Sequence, residues 1–422
     1  MPTAQSSNSN GINPTGYILG RPVSAGQDTP VLPNRYTGAC LRPPRLLVSC
    51  GEPSGDFYGG EVVRHLRATE PGLEVFGLGG DHLEAQGASL LAHTRDLAMV
   101  GITEVGRHIG RLHRLFGRVV LEIDRRRPDV AVLVDYPDFN LRLARQLKAR
   151  GVPVVYYVSP QIWAWKGGRI RAIRDTVTRM LVIFPFEEEL YRRAGVNVTF
   201  VGHPLVDAAR PAKDRGAFLR EQGLDPERPV VALLPGSRRG EVAHNLPPLA
   251  GAVTLLAARR PDLQFLLARA PGLDDGLFDR PLAGTPVRVL EGRSHAVLGS
   301  AAVALVASGT ATVETALIGT PMVVVYRLSP LTYFLGRPFV HVDRYAMPNL
   351  VAGRLVVPEL IQADFTPERV AEEALSLLQD EPRAGAMRRD LAEVRLKLGG
   401  PGASERAAAI VRELLDGSTK NA

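Results

Sequence analysis

From residue 45 onward the chain alternates short β-branched apolar runs with longer segments of helical composition, the pattern of parallel sheets covered by helices. Leu46–Cys50, Val75–Leu78, Val130–Asp135, Val154–Val158, Met180–Phe184 and Val198–Val201 read as strands. Asp207–Pro229, rich in Pro and charge, interrupts the alternation and reads as a linker with a short helix. Strands resume at Val230–Leu234, Gln264–Ala268, Val287–Leu290, Val303–Ala307 and Met322–Tyr326, and the chain is helical from about Pro367. The fold class is α/β, with two Rossmann-like, doubly wound parallel-sheet domains facing one another across a cleft. The boundaries are 45–206 for the first domain and 207–400 for the second, with 401–422 a C-terminal helix that can pack back on the first.

The most telling stretch is Val303–Arg327. An apolar strand breaks at Ser308-Gly309-Thr310, a helical run Ala311–Ile318 follows, Gly319-Thr320-Pro321 stops it, and Met322–Tyr326 is a second strand. A Ser-Gly-Thr turn opening a helix aims free backbone N–H groups and a positive dipole end beyond the strand, which suits a phosphate or diphosphate. Glu314, one turn in, can accept hydrogen bonds from ribose hydroxyls. An ordinary N-capped helix has the same pattern, so the stretch alone leaves both readings open.

Other polar signatures also sit where strands end. Gly51-Glu52-Pro53-Ser54-Gly55-Asp56, Gly79-Gly80-Asp81, Asp135-Tyr136-Pro137-Asp138-Phe139-Asn140 and Ser159–Trp165 follow strands of the first half, and Pro235-Gly236-Ser237-Arg238 does so in the second. Open α/β sheets bind ligands at the carboxyl ends of their strands, so loops divided between two halves point to an active site between the domains.

Composition narrows the class. The chain has 422 residues, long enough for two cores, and its 45% hydrophobic and 23% charged residues are ordinary for a globular protein. No apolar run approaches the ~20 residues that span a bilayer. Residues 1–44 lack a secretory-signal pattern, and their Ser, Asn, Gly and Pro content reads as a disordered extension or a translation-start artefact. Cys40 and Cys50 are the only cysteines, too few to staple the fold, which implies a reducing, cytoplasmic setting. The formal net charge of +7 comes from arginine spread along the chain, and no nucleic-acid-binding module accompanies it.

With these residues in view, the chain closely resembles the lipid-A-disaccharide synthases, glycosyltransferases of the two-domain GT-B class. The resemblance is carried by Gly51–Asp56, Met99–Val105, Asp135–Asn140, Tyr157–Trp165, Phe184-Pro185-Phe186-Glu187, Gly202-His203-Pro204, Leu234–Arg238, Ala307–Glu314, Pro321–Arg327, Pro348-Asn349, Ala352-Gly353 and Pro358-Glu359, in family order. Ser159-Pro160-Gln161-Ile162-Trp163-Ala164-Trp165 is the most distinctive. Pro53 departs from the small residue usual in the family, and residues 1–44 have no counterpart.

The resemblance implies an acceptor-binding first domain and a UDP-sugar-binding second one. The reaction it implies joins UDP-2,3-diacylglucosamine to 2,3-diacylglucosamine 1-phosphate, giving lipid A disaccharide 1-phosphate and UDP. An α-linked donor and a β-linked product mean inversion in a single displacement with one general base. No cofactor is implied, and a second copy of the chain is a candidate partner. Asp135 is the first choice for the base, since a carboxylate beside an apolar cleft can have its pKa raised toward neutrality. The bland role for a strand-end Asp, capping the next helix, fits Asp138 better. Glu52 is the rival base, or else orients the acceptor or its phosphate. Arg238 would clamp the donor diphosphate, and the amides near Ser308, Gly309 and Thr310 would share that charge. The chain holds no Asp-x-Asp pair, the usual carboxylate handle for a diphosphate-bound metal, so no metal site is assigned. Glu314 is placed on the ribose and Asn349 on the donor, while Ser54, Asp56, Gln161 and Trp163 are assigned to the acceptor or the cleft wall. His203 reads as a hinge histidine with a satisfied ring.

Acylated substrates require reaching a bilayer. In Glu104–Val120 the apolar residues Val105, Ile109, Leu112, Phe116 and Val119 recur at helical spacing beside Arg107, Arg111, Arg114 and Arg118. That is the signature of a helix lying on an anionic membrane, here the cytoplasmic face of the inner membrane. A core-packed helix with a solvated basic face has the same periodicity. Two other functions compete: a UDP-N-acetylglucosamine transferase or epimerase of the same two-domain class, and a non-catalytic nucleotide-sugar binder, which would have no need of Asp135.

Overall fold

The chain is described here from a computed structural model covering residues 42–98, 105–160, 168–328 and 344–419. Two all-parallel sheets organise it. The first comprises β1 (Arg45–Cys50), β2 (Glu74–Gly79), β3 (Ser89–His93), β4 (Val130–Val134), β5 (Val154–Tyr157), β6 (Arg179–Val182) and β7 (Val198–Phe200). The second comprises β8 (Val230–Leu234), β9 (Gln264–Arg269), β10 (Val287–Glu291), β11 (Val303–Ala307), β12 (Met322–Tyr326) and β13 (Glu359–Ile361).

The orders are β3-β2-β1-β4-β5-β6-β7 and β10-β9-β8-β11-β12-β13. In each sheet the chain starts in the middle, winds outward to one edge, then returns to start again beside the first strand. The crevice between β1 and β4, and that between β8 and β11, is therefore a switch point, where helices leave on opposite sides and strand ends are left open. Leu46 pairs with Val130 and Cys50 with Val134, while Val303 pairs with Val231 and Val306 with Leu234, so the open ends lie level.

The continuous apolar runs follow from burial on both faces. Leu46, Val48 and Cys50 pack into one cluster, whereas Leu47 joins Phe76, Leu133 and Tyr156 in another on the opposite face. Two strands escape the sequence pattern. β3 is a half-buried edge strand, Ser-Leu-Leu-Ala-His, without a β-branched residue, and β13 has only three residues. The strand expected to reach Asp135 stops at Val134, because Asp135 and Tyr136 turn into left-handed backbone, with φ of 47° and 51°.

Past β13 the chain is helical, as expected, over Pro367–Gln379, Glu381–Lys397 and Ala403–Thr419. The last helix crosses back onto the helix Pro53–Thr69 and β4 of the first sheet. Arg406 donates from Nε to the Val201 carbonyl at 2.9 Å, and the Gly402 amide donates to Asp207 Oδ2 at 2.9 Å. His203 stands at this crossing, its amide donating to the Leu398 carbonyl at 2.9 Å. Its Nδ1 accepts from the Leu205 amide, and burial pushes the ring down to about 3, so it is neutral at working pH.

The amphipathic helix is present as Val105–Arg126, and its apolar stripe corrects one expectation. Leu115, Val119 and Ile123 are buried in the core, and Leu112 and Phe116, expected at a membrane surface, lie half-buried against them. Phe116 meets Phe139 edge-on at 5.3 Å between ring centroids. The stripe from Leu112 onward thus seats the helix on the first sheet, while Arg111, Arg114 and Arg118 face outward. Leu91, Ala92, Leu112 and Leu115 floor a groove of about 380 Å³ that these arginines rim. The side chains of Val105, Arg107 and Ile109 lie outside the described residues, as do Gln161 and Trp163. Among the described residues, no helix is long and apolar enough to cross a membrane.

Candidate active site

Asp135 is built into place from several sides. Its carbonyl accepts from Asn140 Nδ2 and from the Tyr156 hydroxyl, each at 2.7 Å, and its amide donates to the Tyr157 carbonyl at 3.0 Å. Asn140, fully buried, also donates to the carbonyls of Ser49 and Val134 and accepts from Ser49 Oγ at 2.7 Å. These bonds tie the end of β4 to the end of β1 and hold two consecutive non-glycine residues in the left-handed region, a conformation typical of functional sites. Gly51 belongs to the same assembly: a Cβ there would overlap the Tyr136 ring.

The result is a carboxylate at the first sheet's switch point, half-buried and aimed by a stiff loop. Burial, and after it the negative charge of Glu52, raise the Asp135 carboxyl from 3.8 to about 6, against the lowering pull of the Tyr136 amide and Arg238. A carboxylate with that affinity for protons can take one from a hydroxyl near neutral pH.

Opposite it stands the switch point of the second sheet. Arg238 extends from the end of β8, and its Nη2 donates to both oxygens of Glu52 at 2.7 and 2.8 Å. The two residues are 186 positions apart, one at each sheet's opening, so the loops expected to face a common cleft do so. The guanidinium resists burial, but Glu52 and Glu241 outweigh that and raise its pKa, keeping it charged. Tyr58, in the helix following Glu52, is held well above the usual phenol range by burial and by Tyr157, Glu314 and Asp135. It therefore feels the carboxylates of both lobes.

In the second lobe, Ser308 and Gly309 form the turn after β11, and Thr310 begins the helix Thr310–Ile318, as the spacing predicts. Ser308 Oγ donates to the Tyr345 carbonyl at 2.8 Å, and Thr310 is exposed at the helix mouth. Glu314 lies one turn further on, with His295 Nε2 3.7 Å from its Oε1.

Two expected site residues, Asp56 and Asn349, and one expected helix cap, Asp138, have other work. Asp56 is buried, and its carboxylate accepts from the amides of Gly80, His82 and Leu83 at 2.6, 2.9 and 3.2 Å, capping the helix Asp81–Ala85. Asn349 is fully buried: Nδ2 donates to the Val357 carbonyl and Glu359 Oε1, while Oδ1 accepts from the amides of Val356 and Val357. Its side chain fixes the loop that carries Glu359, and has no polar atom left for a donor. Asp138, the expected cap of Pro137–Ala149, lies in that helix's first turn and pairs with Arg169 at 2.8 Å, the N-cap position being Tyr136. Ser54 is half-buried beside Glu52.

Asn140, Tyr58, Tyr156 and Glu241 belong to the site and were not singled out from sequence. Asn140 alone had a local signal, as the last residue of the Asp135–Asn140 motif. Among the described residues, Asp81, Glu84 and His93 each bring a possible metal-ligand atom within 4.8 Å of the others. Arg95 and His93 already bond Asp81 there.

Comparison with known proteins agrees with this fold. Residues 46–414 match the family model described as lipid-A-disaccharide synthetase. The chain is 48% identical over 378 residues to the lipid-A-disaccharide synthase of Myxococcus xanthus, covering 88% of this chain and 98% of that protein. It is 47% identical over 368 residues to that of Koribacter versatilis, covering 86% and 96%. Among solved structures, the Neisseria meningitidis UDP-GlcNAc 2-epimerase bound to UDP-GlcNAc superposes with a TM-score of 0.61 at 13% identity, covering 88% of this chain and all of that one. Anabaena Alr3699/HepE in complex with UDP and glucose gives 0.53 at 12%, covering 87% and 99%. At these identities the structural likeness establishes the two-domain GT-B fold.

Proposed function

Because the chain belongs to the lipid-A-disaccharide synthetase family and is a glycosyltransferase of lipid A biosynthesis, we propose that it transfers 2,3-diacylglucosamine from UDP to 2,3-diacylglucosamine 1-phosphate with inversion. The acceptor 6-hydroxyl attacks the donor's anomeric carbon, the bond from that carbon to the diphosphate oxygen breaks, and UDP leaves with the electron pair. Asp135 takes the hydroxyl proton. Arg238 and the amides at Ser308–Thr310 receive the charge that grows on the diphosphate. Glu314 accepts from the ribose hydroxyls.

The observation that carries this reading is the meeting of the two switch points. A proton-seeking carboxylate on a strained, tethered loop faces a guanidinium that is ionised at every working pH, with Glu52 between them. A nucleotide binder without catalysis has no use for the first half of that arrangement. The groove rimmed by Arg111, Arg114 and Arg118 supports contact with acylated, anionic substrates at the cytoplasmic face of the inner membrane. Purified protein incubated with both acylated glucosamines tests the reading: disaccharide and UDP form with wild type and not with D135N. Disaccharide formation by D135N at the wild-type rate removes Asp135 from the mechanism, and no product from either protein refutes the substrate assignment.

A further inference from the structure

Arg238 is held by two carboxylates of different standing. Glu241 is a local partner, three residues along in the helix Arg239–Arg259 and mostly buried. Its Oε1 accepts from Arg238 Nη1 at 2.8 Å, and its Oε2 accepts from the Ser237 amide at 3.1 Å. It thereby folds the turn after β8 and the guanidinium against one another. Gly236 makes room for it: at φ of 133°, a Cβ there would strike the Glu241 side chain. Glu52 is the distant partner, on the other lobe and more exposed, and it takes both Nη2 hydrogens.

We propose that Glu241 is the positioning residue that keeps Arg238 aimed into the cleft, and that Glu52 holds the place of the donor's diphosphate until the donor arrives. This rests on the reading of the second lobe as the UDP site. Glu52 offers both oxygens to one guanidinium nitrogen, the donor that an anionic diphosphate oxygen would otherwise take. Glu52 and the diphosphate cannot both take the Nη2 hydrogens at once. The arriving diphosphate brings more charge than one carboxylate, and the exposed Glu52 pair is worth little in water, so the exchange runs toward the nucleotide. Glu241 stays bonded throughout, since its contacts lie within its own turn. Displacement frees Glu52 beside Asp135, on the acceptor's side, so donor binding readies the acceptor site, and by linkage the acceptor favours the donor.

The two carboxylates thus have opposite effects on nucleotide affinity. Simple electrostatics gives them the same sign, because removing either negative charge should favour an anion. The test is UDP binding to the full-length protein by calorimetry at fixed ionic strength, for wild type, E52Q, E241A and E241Q, with UMP as the comparison ligand. Expected are UDP binding about 2–5-fold tighter in E52Q, corresponding to the loss of one exposed ion pair, and about 5–10-fold weaker in E241A, with E241Q between E241A and wild type. UMP affinity is unchanged by E52Q, since UMP has no β-phosphate to contest Arg238. Thermal melts establish that the variants are folded, and E241Q serves if E241A is not. UDP affinity unchanged or weaker in E52Q, or equal to or tighter than wild type in folded E241A or E241Q, overturns the proposal alone. Failure of wild type to bind UDP at all overturns the nucleotide-site reading and the proposal with it.

Discussion

On the proposed mechanism Asp135 is worth more to catalysis than to the fold, and the difference can be measured. Its carboxyl holds its proton up to about pH 6 in the folded protein, against an ordinary value of 3.8. Between those values the native state binds more protons than the unfolded chain, so stability falls as pH rises and then levels off above about 6. About two units at ~1.36 kcal/mol each make the full penalty about 3 kcal/mol near pH 8 and about 1 kcal/mol near pH 4.5. Asn at this position keeps the shape, tolerates the left-handed backbone and carries no charge. D135N is therefore expected to abolish turnover while stabilising the protein, an exchange typical of catalytic groups. With an unfolding entropy of about 0.8 kcal/mol/K for a unit of this size, Tm should rise about 4 °C at pH 8 and about 1 °C at pH 4.5. Paired melts of wild type and D135N at the two pH values give the answer. An unchanged or lower Tm for D135N at pH 8, or the same gain at both pH values, would show that no raised carboxyl pKa exists here.

The neighbours of Asp135 yield three further expectations. E52Q removes the charge that, after burial, raises Asp135, so the acid limb of kcat/KM should move below pH 6; the acceptor phosphate titrates in the same range but identically for both proteins, so the shift between them reports the enzyme. N140A takes the side-chain donor from the buried carbonyls of Ser49 and Val134 and leaves the Asp135 carbonyl with the Tyr156 hydroxyl alone, which should cost about 2–4 kcal/mol in denaturant unfolding and lower turnover with UDP binding retained. G51A should drive the Tyr136 ring, and Asp135 with it, out of place and lower turnover at least tenfold, whereas Y136G in the same chain should restore room and recover part of the loss.

What was legible in the sequence was the part set by local rules. A strand buried on both faces must be apolar at every position, so most strands announce themselves, the partly exposed β7 and β10 by their β-branched residues instead, and loops at their carboxyl ends stand out by polarity alone. Ser308–Thr310 and Glu314 could be placed because one turn and one helix fix them. The failures are equally physical. Asp56 and Asn349 are polar residues in the right loops, but a short polar side chain beside free backbone amides is as readily consumed by the chain itself as offered to a ligand. For Asp56 the backbone won completely, and for Asn349 the backbone and Glu359 share the side chain. Leu112 and Phe116 show the same ambiguity for apolar groups, since periodicity states that a face is buried without stating against what.

The ion pair between Glu52 and Arg238 lies beyond any local rule, because its partners meet only after two sheets have formed and been set mouth to mouth. Yet topology narrows the choice to a few residues. Each sheet has one switch point, each switch point opens beside its first strand, and the residue just past that strand is the one that projects into the gap. Glu52 lies two residues beyond β1 and Arg238 four beyond β8, and both open long helices. If the contact arose merely from chance proximity of exposed charges, its partners would have no reason to be the first charged side chains at both openings, or to face the one carboxylate whose proton affinity, raised chiefly by burial, they tune in opposite directions. The charge on Glu52 raises that affinity and the charge on Arg238 lowers it, so whichever partner a bound diphosphate takes away moves Asp135 in the other's direction. On the proposed reading, a diphosphate that engages Arg238 leaves burial and Glu52 opposed only by the Tyr136 amide, and the base becomes stronger when the leaving group is in place.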